Sequence, residues 1–178
     1  MKTFTIYIHN SIGRLLPVLL LCVVCCCCQA QVNPTDSIPD DPAAMRVFTY
    51  QNLSFGAFMG GPTGGKVIIS NSGSRSVTGT VTPLSMGVMY FQAIFEVSTP
   101  HGSIVSLLNG PDAVLTGSNG GTMSMHIGSS DPPSPFVTTA YPPLHTQVSV
   151  GGTLTLGNPA SNPPGTYSGN FYIIFNRE

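Results

Sequence analysis

The chain has 178 residues and a formal net charge of −1, and only 7% of its residues are charged, against about 25% in ordinary globular proteins. After residue 30 the cations are Arg46, Lys66, Arg75 and Arg177, facing all seven acidic groups. That excludes a basic field for nucleic acid and leaves too few charges for long solvent-exposed helices. With Gly 20 and Pro 16, the remaining class is turn-rich all-β structure, long enough for one domain with its own core.

Residues 1–30 carry Lys2 and Arg14, an apolar run over 15–28, and Cys28-Gln29-Ala30 before Gln31. This is the order of a secretory signal peptide, and the run is shorter than the ~20 residues that span a bilayer. A secreted product is expected, extracellular, on the outer cell surface or in the periplasm, with no membrane span in the mature chain. All five cysteines lie in this leader, so no disulfide framework follows from secretion. Lipid attachment fits poorly. Leu19-Leu20-Leu21-Cys22 lacks a small residue before the cysteine, and Cys25 to Cys28 lack a leucine three residues upstream. Residues 31–43 (QVNPTDSIPDDPA) read as a solvated spacer, and residues 44–178 as the domain.

From residue 44 short runs of period two recur between Gly, Pro, Asn and Ser clusters, the signature of a sandwich or barrel. Residues 45–55 open the series, and 60–65 (GGPTGG) break it. Residues 66–70 and 75–81 form a hairpin around Asn71-Ser72-Gly73-Ser74. The longest alternation, 88–97, puts Met89, Phe91, Ala93, Phe95 and Val97 on one face, with Gln92 and Glu96 on the other. A slip of one residue would bury both polar groups. Strands follow over 103–108 and 122–127, then a loop or sheet-edge crossing over 131–143, whose five prolines disfavour a central strand. Residues 145–150 and 153–156 flank a Gly151-Gly152 break, and 158–165 turn the chain. The last strand, 166–176, keeps Tyr172 and Ile174 on its second face, which suits a central position.

Leu53-Ser54-Phe55-Gly56, Gly64-Gly65-Lys66-Val67, Arg75-Ser76 with Gly79, Ala93-Ile94-Phe95-Glu96-Val97, Met123-Ser124-Met125, Val150-Gly151-Gly152-Thr153-Leu154 and Gly165-Thr166-Tyr167-Ser168-Gly169-Asn170-Phe171 occur in an order that resembles the bacterial secreted family of domain of unknown function 4402 (DUF4402). The resemblance runs from about residue 44 to the C-terminus and is looser over 83–87, 101–110 and 131–143. It implies a single immunoglobulin-like β-sandwich of mostly antiparallel strands on the bacterial surface, with some likeness to fimbrial subunits. No reaction is established for the family, so no catalytic residue is carried over.

Motifs for chemistry are sparse. His101, His126 and His145 have no second histidine close in sequence, whereas zinc sites usually show a close ligand pair, so no metal or other cofactor is expected. A glycosidase needs two carboxylates flanking a sugar. Glu96 is the one mid-strand carboxylate, and Asp112 and Asp131 adjoin prolines as turn formers. No Gly-x-Ser-x-Gly elbow or phosphate loop is present, and an enzyme is not expected. The terminal alternation of Tyr167, Gly169, Phe171, Ile173 and Phe175 suits a strand-exchange face, in which backbone hydrogen bonds give affinity and alternate side chains fill pockets. A core strand of a self-complete sandwich explains it equally. As donor, residues 45–55 are preferable to the proline-bearing spacer. Tyr90, Phe136, Tyr141 and Tyr172 could instead stack on sugars. The expected partners are therefore copies of itself, other surface proteins, or glycans.

Overall fold

The computed structural model describes residues 44–178; the expected leader (1–30) and spacer (31–43) lie outside the described residues. The strands are β1 (Arg46–Gln51), β2 (Ser54–Phe55), β3 (Phe58–Ile69), β4 (Arg75–Pro83), β5 (Tyr90–Phe91), β6 (Ala93–Ser98), β7 (Ile104–Asn109), β8 (Ala113–Gly117), β9 (Thr122–Asp131), β10 (Phe136–Val137), β11 (Thr146–Leu156), β12 (Tyr167–Ser168) and β13 (Ile173–Arg177). No helix occurs among the described residues. Every pairing between named strands is antiparallel.

The large sheet runs β1-β6-β11-β9-β8-β12, with β3 on β11 and β4 on β3; a second sheet runs β10-β7-β13, and β2 pairs β5. The strand β11 is the hub because both its edges are paired and one of its faces is buried. Val148, Val150, Leu154 and Leu156 are buried. Its first half pairs with β6 and its second half with β3, while β9 lies along the other edge. The Gly151-Gly152 pair does not break the strand. It sits at a register shift between Val150 and Gly152, where β11 passes from one neighbour to the next.

Val105 of β7 and Phe136 of β10 share one buried cluster with Val67, Ile69, Val97, Val148, Val150 and Leu154 of the large sheet. The two layers therefore close on a common apolar core, and full burial of each such side chain contributes roughly 1.5–3 kcal/mol.

Three other expectations change. The GGPTGG segment lies inside β3, where a register shift between Gly60 and Gly65 absorbs the extra residues against β4. Gly64 there has φ +69°, and an added Cβ would meet the carbonyls of Leu156 and Gly157, so only glycine suits the site. The alternating run over 88–97 divides into β5 and β6, with Met89 exposed rather than in the core. The proline-rich segment, read as a loop or a sheet-edge crossing, contributes β10 at the edge of the second sheet, paired with β7. The final alternating run divides into β12 and β13, and β13 lies at a sheet edge rather than in its centre. Its second apolar face is not covered: Tyr172 and Ile174 are exposed. The strand β8 (AVLTG) was not anticipated in the sequence.

Candidate functional site

Backbone geometry makes β13 the most informative element. Ile174 stands opposite Leu108 and Asn176 opposite Ser106. The Gly110 N–H donates to the Tyr172 carbonyl at 3.1 Å, and the Glu178 N–H to the Ile104 carbonyl at 3.1 Å. In an antiparallel ladder alternate residues direct both backbone groups to the same side. The even-numbered residues therefore face β7, and Ile173 and Phe175 turn their N–H and C=O groups the other way. Among the described residues no strand pairs with that outer edge.

Beside this edge runs a groove of about 1300 Å³. One wall is β1, the segment after it and the start of β3, with Val47, Thr49, Leu53 and Phe58; the other carries Phe171, Ile173 and Phe175; the floor is Phe95, Leu115, Met123, Met125, Leu154 and Leu156. The floor belongs to the large sheet, where Phe95 and Leu115 are half-buried and Met123, Met125, Leu154 and Leu156 are buried. Phe95 and Phe175 meet edge-on across it, ring centroids 5.5 Å apart. No lining residue is charged, and the polar groups there are amides and hydroxyls such as Gln51, Asn52 and Asn170, so a ligand's charge would meet no counter-charge to offset its desolvation.

The β1-side wall is fixed by Arg75. Its guanidinium donates to the carbonyls of Phe55 (3.2 Å) and Ala57 (3.1 Å) and lies 4.3 Å from the centre of the Tyr90 ring. Ser54 Oγ donates to the Met89 carbonyl at 2.8 Å. The far end is set by Tyr167, whose hydroxyl donates to the Pro163 carbonyl at 2.8 Å.

The five residues expected to form a strand-exchange face all line this groove, but they do so from different elements. Tyr167 is in β12, paired with β8. Gly169 and Phe171 lie in the link, and Ile173 and Phe175 in β13. Gly169 passes so close to β8 that a Cβ would lie 2.5 Å from the Val114 carbonyl oxygen.

The aromatic residues considered for sugar stacking are placed differently. Phe136 is buried in the core. Tyr90 has Arg75 over its ring. Tyr141 is exposed and stacks on His101 at 4.0 Å, and Tyr172 is exposed and lines the groove.

Two histidine–carboxylate pairs went unread in the sequence. His126 Nδ1 lies 2.7 Å from Asp112 Oδ1 on an exposed face, and His145 Nδ1 lies 3.1 Å from Glu96 Oε2 in a half-buried position. Phe48 of β1 stacks on the His145 ring at 5.6 Å. Spacing in sequence gives no sign of either pair; the first follows only once Ala113 is set opposite Met125. Among the described residues no three His, Cys, Asp or Glu side chains gather as a metal site.

A family model described as Domain of unknown function (DUF4402) matches residues 45–176. No curated protein and no solved structure matches the chain.

Proposed function

The chain belongs to the DUF4402 family, whose description assigns no activity, and from its groove we propose that it is a secreted, non-catalytic β-sandwich of the bacterial cell surface that takes part in assembly or adhesion by accepting a strand. One observation carries this reading: the open edge at Ile173 and Phe175 lies directly beside an uncharged groove floored by core side chains. An extended peptide meets both demands of such a place. Its backbone completes the ladder, and every second side chain enters the groove.

Unpaired sheet edges are ordinarily shortened, charged or covered, because they pair with other chains. The groove face of this edge instead carries Ile173 and Phe175, both half-buried. A small polar ligand would leave the apolar floor wet, and a lipid chain would leave the edge N–H groups unpaired.

The reading is tested with a fluorescent nonapeptide alternating leucine or valine with serine or threonine, titrated into the protein by anisotropy. A second peptide has the same residues reordered to abolish the alternation. Saturable binding is expected of the first, at least tenfold tighter than of the second. Equal or absent binding of both would overturn strand acceptance.

A further inference from the structure

Resting on that reading, we infer that neither residues 31–43 nor β1 of this chain is suited to fill its own groove or that of a second copy, so that the groove is filled by a strand of a different protein. The occupant is an extended segment of about seven residues, roughly 23 Å at the rise of a strand, apolar at alternate positions and uncharged where it faces inward.

The groove supplies the requirement. With no charged residue in its lining, an inward carboxylate would lose its water and meet no counter-charge. Residues 31–43 fail this requirement in both possible facings. With the even positions inward, Val32 and Ile38 bring Asp36 and Asp40 with them. With the odd positions inward, Gln31, Asn33, Thr35 and Ser37 leave the floor unfilled. Pro34, Pro39 and Pro42 also remove backbone donors.

The other donor considered, β1, is committed. It pairs with β6 over Arg46–Gln51, and its Val47 and Thr49 are themselves a wall of the groove. A copy that lent β1 would dismantle its own acceptor, so a chain of identical copies could not propagate that way.

The test uses the secreted protein after leader removal. Light scattering follows its mass at rising concentration, and anisotropy compares three peptides: the alternating nonapeptide, the same peptide with aspartate at its central apolar position, and residues 31–44 of this chain. The inference expects a monomer, binding of the alternating peptide, at least tenfold weaker binding once aspartate is introduced, and no binding of 31–44. The variant Thr49→Lys, at an exposed wall position, should fold normally and weaken the alternating peptide at least tenfold.

Binding of 31–44, or self-association that Thr49→Lys abolishes, would overturn the inference of a different donor and leave strand acceptance standing. Full tolerance of the aspartate, or of Thr49→Lys, would overturn the stated chemistry of the occupant. Failure of the alternating peptide itself would overturn both readings.

Discussion

Single side chains here divide sharply by what they hold. Arg75 ties two carbonyls and an aromatic face that otherwise belong to separate segments, and hydrogen bonds to a charged group contribute about 1.5–3 kcal/mol. Arg75→Met should therefore lower stability by about 2 kcal/mol in denaturant unfolding and speed amide exchange in the segment from Phe55 to Phe58, while leaving β9 and β11 protected. Gly64→Ala should cost more than about 2 kcal/mol, because the left-handed backbone and the carbonyls of Leu156 and Gly157 oppose a Cβ together. By contrast, the Asp112–His126 pair is short but exposed. Asp112→Asn should change unfolding stability by less than about 1 kcal/mol, as exposed ion pairs do.

At the scale of elements, alternation in the sequence revealed most strands with one buried and one wet face, β8 being the exception. It served for β6, β7 and β9, and for the hairpin of β3 and β4. It failed where backbone rather than side chains decides. Glycine pairs read as breaks are bulges inside β3 and β11, because a bulge and a turn draw on the same residue. The last strand misled for another reason: Tyr172 and Ile174 make its second face apolar, which looks like double-sided burial, yet that face is exposed at the sheet edge. The candidate site was legible only as a stripe of alternate residues in one segment. Its floor and opposite wall come from β6, β8, β9, β11 and β1, and no local pattern joins them. Since Ile174 packs little, Ile174→Thr should alter thermal stability by under about 0.5 kcal/mol. Leu154→Ala, at the buried hub, should cost about 2–5 kcal/mol. Equal effects at the two sites would place β13 in the interior after all.

The described residues form a two-layer antiparallel β structure whose second layer has only three strands. They hold no cysteine and pack on one shared apolar core, and no charged residue lines the groove. Openness at one edge is where the fold and the proposed role meet: the residues that complete the core on one side present an unfilled ladder on the other. Site-resolved hydrogen exchange along β13 tests this most directly. The account predicts that the amides of Ile173 and Phe175 exchange much faster than those of Ile174 and Asn176 in the protein alone, and that the alternating nonapeptide slows the first pair while leaving the second unchanged. Equal protection of all four amides before any peptide is added, or no slowing of Ile173 and Phe175 at peptide saturation, would contradict it.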